Sequence, residues 1–427
     1  MVVSSNSARA RPTTGAPRIV IEPSDYFLRN FGDMAMLRSA IERLEVVLPG
    51  ATIEVCTEDP AALLRLSPSV IPIEANGRFQ ALKVGHSLTA IRKLLPQRFA
   101  DRVQRRMPRW IVRRLDRFLA ERSQFAKHLK QADLLLVGGM GGFTDYFGDF
   151  AGGVLRSLDR GLEMGVPVVM VGQGMGPIEK PELRATAGAI LPKLDLIALR
   201  EKRTGPPLLR ELGVPASRIQ VTGDDAIEFA HRMRVETLGH GIGLNLRRAR
   251  YSGVGSEVAA IIGQTVEQLA ECWAAAVVPV PIQQGHDCDL DSMRQALSNH
   301  AAALNEAAAI SSLEELVRQV QRCRVVVTGS YHAGVFALSN GIPVVGIAGS
   351  TYYIDKFDGL ADMFGVGCAV VRVGEVDYAE RLRSEVGKLW DAALRIRPEL
   401  LTSAQRQIHA GHQCYARIAQ LVNDRRR

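Results

Sequence analysis

The chain has no uncharged apolar run of about 18 residues, so no segment is expected to span a membrane. Its six cysteines, Cys56, Cys272, Cys288, Cys323, Cys368 and Cys414, form no Cys-x-x-Cys pair, which removes the usual zinc and redox spacings. Cysteines scattered through 427 residues point to a reducing compartment, with thiols used as small apolar side chains. No repeat with a period of about 20–50 residues recurs, which sets aside solenoids and propellers. Met1–Pro17 carries Arg9 and Arg11 with no apolar stretch behind them. It is expected to be a disordered lead-in, rich in Ser, Thr, Pro and Ala, rather than a secretory signal.

What is present suits a soluble protein of two or three domains, with 47% apolar and 23% charged residues. A net charge of +8 favours anionic partners. Much of the excess lies within residues 92–130, where Val103, Met107, Trp110, Leu115 and Phe118 recur at helical spacing among many Arg residues. An amphipathic helix packed on its domain, with a solvated basic face, is the favoured reading. Contact with an anionic membrane surface or a lipid phosphate is the second. No recognisable nucleic-acid module accompanies the charge, so nucleic acid is not an expected partner.

Strand-like and helical patterns alternate almost from end to end, which predicts parallel sheets with helices on both faces. Arg18–Ile21, Thr52–Cys56, Leu134–Val137, Val166–Val171, Leu194–Leu199 and Ile219–Val221 read as strands, with helices such as Asp33–Val47 and Phe150–Met164 between them. The alternation breaks near Arg232–His240 and restarts with Gly241–Leu246, Val277–Ile282, Val325–Thr328 and Val344–Ile347. The expected fold class is α/β, with two Rossmann-like domains facing a central cleft. The lead-in occupies 1–17. The N-terminal domain spans 18–235 with a basic helical insert over 86–130, the C-terminal domain spans 236–375, and C-terminal helices fill 376–427.

Chemistry-bearing residues gather at the strand ends, where open α/β sheets bind ligands. Gly138-Gly139-Met140-Gly141-Gly142, running on to Asp145, and Gly172-Gln173-Gly174-Met175-Gly176-Pro177 each follow a strand. Glycines there let backbone N–H groups approach a ligand, although the second segment lacks dinucleotide spacing and each alone also reads as a tight turn. Within Asn30-Phe31-Gly32-Asp33, Asp33 is the expected cap of the first helix, with substrate contact as its alternative; Asn30 is a candidate for a substrate hydroxyl across the cleft, and Gly32 is counted with the substrate-binding residues. Arg200 and Arg203 stand at a strand end, suited to a carboxylate or phosphate and equally to a surface ion-pair cluster. Thr222-Gly223-Asp224-Asp225 offers paired carboxylates, with Asp225 the candidate general base, beside plain turn chemistry. His286 and Asp287 share a polar loop whose spacing fits no standard metal site, so they are expected to line the cleft and no metal is expected.

The most informative stretch is 325–347: a buried strand, a tight turn, a helix and a second buried strand. His332 falls where the turn becomes the helix, just after Ser330 and Tyr331. A helix N-terminus offers free N–H groups to an anion and disfavours a protonated imidazole. A bound phosphate or carboxylate reverses that preference. An imidazole that gains its proton when an anionic donor binds is suited to donating it. The plainer alternative is a histidine that only caps or packs the helix.

Taken in order, these segments, with Asn245-Leu246-Arg247 and Lys356 after the later strands, resemble the polysaccharide pyruvyl transferase family from about Ile19 to Gly365. The resemblance implies a GT-B-type enzyme with no cofactor. It would transfer a pyruvyl group from phosphoenolpyruvate to a sugar hydroxyl pair, usually as a cyclic ketal, in exopolysaccharide or cell-wall glycan synthesis. It also implies that His332 protonates the donor's methylene carbon, while Arg200, Lys356 and the His332 helix N-terminus hold phosphate and carboxylate. The family commonly has Arg two residues before this histidine, where this chain has Ser330. Arg200, Arg203, Arg247 or Lys356 then supplies the missing cation, or the donor differs. The implied acceptor is a saccharide or lipid-linked saccharide. The implied location is cytoplasmic, with the inner membrane face as a second option. Two alternatives stay open: a GT-B glycosyltransferase using a nucleotide sugar, and a non-catalytic saccharide-binding homologue. Oligomeric state is not legible.

Overall fold

The computed structural model of the chain describes residues 15–75, 124–247, 253–285, 288–297 and 299–427. Most of the expected lead-in and of the basic insert lies outside these residues, as do His286 and Asp287.

Two parallel sheets carry the fold. The first contains β1 (Arg18–Glu22), β2 (Thr52–Thr57), β3 (Ile71–Glu74), β4 (Leu134–Val137), β5 (Met140–Phe143), β6 (Val168–Met175), β7 (Leu196–Leu199) and β8 (Ile219–Val221). Their order is β3-β2-β1-β4-β6-β7-β8, with β5 paired to β6. The second contains β9 (Gly241–Asn245), β10 (Val277–Pro279), β11 (Cys323–Thr328), β12 (Val344–Ala348) and β13 (Cys368–Arg372), in the order β10-β9-β11-β12-β13. Strands such as β4, Leu-Leu-Leu-Val, are continuous apolar runs because helices bury both faces. Strand order reverses between β1 and β4 in one sheet and between β9 and β11 in the other. Such reversals open a crevice at the strand ends.

Two expected loops are strand instead. β6 runs on through Gly172-Gln173-Gly174 to Met175, and β5 forms from Met140 beside it. Glycine permits this close passage, since a Cβ on Gly172 would lie 3.1 Å from the Cα of Gly139.

Five helices shape the cleft: α1 (Phe31–Val47), α2 (Ala226–Arg232), α3 (Tyr331–Ser339), α4 (Thr351–Phe364) and α5 (Tyr378–Arg426). The cap of α1 is Asn30, not Asp33. Its side-chain oxygen accepts from the N–H groups of Gly32 and Asp33 at 3.0 and 3.2 Å. An N-cap must take extended backbone and aim its oxygen back at the first turn. Asn30 does so, which leaves the Asp33 carboxylate one turn position on. The C-terminal segment is one helix of 49 residues rather than several. Its Leu382 and Val386 pack in the second domain's core, Leu400 and Ala404 between the domains, and Tyr415, Ile418 and Val422 against the first sheet. Pro398 inside it costs about 3 kcal/mol, which burial of the neighbouring Ile396 and Leu400, about 1.5–3 kcal/mol each, offsets.

The lobes meet through an apolar core that joins Phe31 of α1, Phe229 of α2, Phe336 of α3 and Phe357 of α4. Phe31 donates its N–H to Ile282 at 3.0 Å, Gln284 donates to Arg29 at 2.8 Å, and the Tyr352 hydroxyl donates to the Gly141 carbonyl at 2.5 Å.

Candidate active site

A cavity of about 380 Å³ lies between the lobes and touches both strand-order reversals. Ser24 and Asp25 reach it from the end of β1, Gly141 and Gly142 from beyond β4, Arg247 from β9, and Ser330, Tyr331 and His332 from β11.

His332 occupies the second position of α3 and is 9% exposed. Its Nε2 has no hydrogen-bond partner, and the nearest carboxylate oxygen, Asp224 Oδ2, is 3.7 Å away. Gly32 presses on the opposite side of the ring, where a Cβ would fall 2.0 Å from Cγ and 2.1 Å from Nδ1. Asp224 also accepts from the N–H of Ala226 at 2.9 Å and faces Arg200 Nη1 at 3.4 Å. Burial alone would raise its carboxyl, but His332, Arg200 and that N–H outweigh burial and hold it below the ordinary value.

Besides the exposed Arg29, three cations converge on the same space. Arg200 is almost wholly buried, with its guanidinium 4.0 Å from the Tyr331 ring centroid. Gly174 and Gly141 make room for it, since a Cβ at either would come within 2.6 Å of its nitrogens. Arg247 lines the cavity from β9. Lys356, on α4, sits 4.0 Å from the Tyr352 ring centroid. Burial first, then Arg200 and Arg247, hold its ammonium well below the usual value. An imidazole beside a carboxylate, facing a set of cations, is built to protonate and hold a multiply charged anion.

The profile of the polysaccharide pyruvyl transferase family matches residues 30–351, which contain His332, Asp224, Arg200 and Arg247 and stop short of Lys356. The chain belongs to this family. No curated protein matches it in sequence. Among solved structures it is similar to Anabaena Alr3699/HepE, in complex with UDP and glucose. Identity there is 12%, with 95% of this chain and 100% of that one covered and a TM-score of 0.54. It is also similar to the S. aureus MnaA–UDP structure (13%, 92% of each chain, TM-score 0.53). A third neighbour is the UDP-GlcNAc 2-epimerase of Methanocaldococcus jannaschii (13%, 88% and 93%, TM-score 0.51). At such identities the likeness shows the fold alone, which is GT-B.

For this pyruvyl transferase family member, the cavity gathers Asn30, Asp33, Arg200, Arg247, Ser330, Tyr331, His332 and Lys356 among the residues singled out from sequence. Asn30 is committed there, because its amide donates to Gln283 Oε1 at 3.0 Å while its oxygen caps α1. Gly32 and Gly174 act by leaving space for His332 and Arg200, and Gly139 by leaving space for Met36.

The other candidates stand elsewhere. Asp225, the expected base, turns away from the cavity and pairs with Arg43 at 2.5 Å. Burial pushes its carboxyl up to about 6 despite that partner. Neighbouring side chains on the turn after Gly223 diverge, so Asp224 takes the position beside His332. Arg203 spans the domains on the outside, with Asp358 and Asp362 each at 3.0 Å. Gln173 and Asn245 are fully buried braces. Gln173 donates to the Gly138 and Val171 carbonyls at 2.7 and 2.8 Å, and Asn245 to Val280 O and Asp289 Oδ2 at 2.8 Å each. Asp145 accepts from the N–H groups of Glu179 and Lys180 at 2.6 and 3.1 Å, and so holds a loop.

Sequence reasoning missed Ser24, Asp25, Asp224 as the partner of His332, and the aromatic pair Tyr352–Tyr353. The polar pair Ser24-Asp25 directly after the first strand was the available signal for the cleft's N-terminal wall. Among the described residues no cluster of His, Cys, Asp or Glu is placed to hold a metal, and no helix is long and apolar enough to cross a membrane.

Proposed function

We propose that this protein transfers a pyruvyl group from phosphoenolpyruvate to a hydroxyl pair of a saccharide, with release of phosphate. The observation that carries this reading is the convergence of one buried imidazole, His332, with Arg200, Arg247 and Lys356 on a single cavity. Phosphoenolpyruvate carries a phosphate and a carboxylate on a three-carbon frame, and these cations neutralise both. The cation absent at Ser330 arrives instead from β9 as Arg247 and from α4 as Lys356.

The N–H groups at the start of α3 add to the anion site. His332, with Asp224 Oδ2 3.7 Å from its Nε2, donates a proton to the methylene carbon C3. The cationic C2 accepts a sugar hydroxyl, the C2–O bond to phosphate breaks, and the second hydroxyl closes the ketal. One hydroxyl proton replaces the one given to C3, and the other leaves with phosphate. The cavity volume falls in the usual range for small-molecule sites, about 300–1,000 Å³, and holds the donor with part of one sugar ring.

Calorimetric titration with phosphoenolpyruvate and, separately, with UDP tests the reading. Saturable binding of phosphoenolpyruvate, weakened by Arg247→Ala, supports it. Binding of UDP alone would replace it with nucleotide-sugar chemistry, and binding of neither would leave a saccharide-binding homologue.

A further inference from the structure

The two walls of the cavity differ in charge. The wall from α3, α4 and the end of β9 carries His332, Lys356 and Arg247, and Arg200 joins it from β7. The opposite wall, from the segment after β1 and the first turn of α1, carries Ser24, Asp25 and Asp33, with Phe27 and a single cation, the exposed Arg29, beside them. With two carboxylates against one cation there, a trianionic donor favours the first wall over the second. The acidic wall is therefore left for the neutral partner, the polyol.

Two carboxylates, Asp25 and Asp33, line the cavity, and a third, Asp224, stands behind His332; Asp25 and Asp224 have fixed duties. Asp25 holds its own turn, since Oδ1 accepts from the N–H of Phe27 at 3.0 Å and Oδ2 from those of Arg29 and Asn30 at 2.6 and 3.0 Å. Asp224 serves His332, Arg200 and the start of α2. Asp33 has no such backbone duty, because Asn30 has taken the capping role. It lines the cavity one residue after Gly32, the residue pressed against the His332 ring.

We infer that Asp33 is the general base that takes the proton from the attacking sugar hydroxyl. This rests on the pyruvyl-transfer reading. As the hydroxyl oxygen bonds to C2, its proton passes to an Asp33 oxygen, and Asp33 then releases it to the departing phosphate. The second hydroxyl returns its proton to the neutral His332, so both groups end as they began. Lys356 on α4 faces the Asp33 carboxylate, and the other groups around it fit the role. Burial and Asp25 raise its carboxyl, while His332, a hydrogen bond from Ser24, and Arg200 lower it, with a net rise. A raised carboxylate is a stronger base, and a general base works best with a proton affinity nearer the working pH.

The test uses the full chain, phosphoenolpyruvate, and a panel of methyl hexopyranosides as the diol, followed by phosphate release against pH. Asp33→Asn is expected to bind phosphoenolpyruvate at least as tightly as wild type, which also reports that it folds. It is expected to lose about 10²–10⁴-fold in kcat and to lose the acidic limb of the pH profile. Asp33→Glu is expected to recover part of the rate and the limb. An Asp33→Asn enzyme with wild-type kcat, or a lowered kcat with the acidic limb intact, overturns the assignment. If wild type neither binds phosphoenolpyruvate nor releases phosphate, the pyruvyl-transfer reading falls instead, and the base assignment falls with it.

Discussion

Gly32→Ala sets two physical effects against each other. Gly32 lies in the first turn of α1 with ordinary helical backbone, so helix propensity alone favours alanine by at most about 1 kcal/mol. Packing says the opposite. The new methyl would sit 2.0 Å from His332 Cγ and 2.5 Å from its Cβ, where ordinary contact needs 3.4 Å or more. The ring must retreat by more than an ångström, and α3, tied to the interdomain core by Phe336, resists the shift. Overpacking of this kind costs about 1–3 kcal/mol, so packing outweighs propensity and the melting temperature should fall.

The effect on turnover should be larger. A displacement of about 1 Å between reacting groups costs about 10²-fold in rate. The cations that hold the donor do not touch Gly32, so phosphoenolpyruvate affinity should change little while kcat falls by about 10² or more. Thermal melting, calorimetric titration and phosphate release on one preparation separate these effects. A Gly32→Ala protein that melts higher and turns over at the wild-type rate would refute the argument that Gly32 exists to seat His332.

Two further outcomes are expected. Asp224→Asn removes the carboxylate that lies 3.7 Å from His332, so kcat should fall by about 10²–10⁴-fold with donor affinity retained. Equal losses from Asp225→Asn and Asp224→Asn would contradict the distinction drawn between the two acids. Burial, Arg200 and Arg247 hold Lys356 well below its ordinary proton affinity, and a bound trianion reverses that balance. The sign follows: bound donor raises the Lys356 proton affinity, so binding takes up a proton and affinity falls as pH rises. Titrations in buffers of different ionisation heat should show this uptake, and Lys356→Met should reduce it; unchanged uptake in that variant contradicts the assignment.

The parallel sheets were legible because their strands are unbroken apolar runs, such as Leu134–Val137 and Val344–Ala348, whose burial on both faces leaves no other reading. His332 was legible because a strand-to-helix turn is a local pattern. What failed was anything decided by direction within a turn. Asp33 read as the cap and Asn30 as a substrate contact, whereas backbone geometry gives the capping duty to Asn30. Asp224 and Asp225 differ by one position, and that position decides which faces His332 and which faces Arg43. Arg200 and Arg203 likewise diverge, one into the cavity and the other to a surface bridge with α4. The glycines after β4 and in β6 read as ligand-approach loops. Their work is to admit neighbours that lie far off in sequence, among them Arg200 and Lys356, and composition carries no record of that.

The proposed protonation of phosphoenolpyruvate C3 by His332 fixes the isotopic content of the product. Running the transfer in D₂O and reading the product by mass spectrometry tests it directly. Wild type should give a ketal methyl bearing one deuterium, with one phosphate released per ketal, and His332→Ala should give neither. A methyl group without deuterium, or undiminished phosphate release by His332→Ala, would contradict the account.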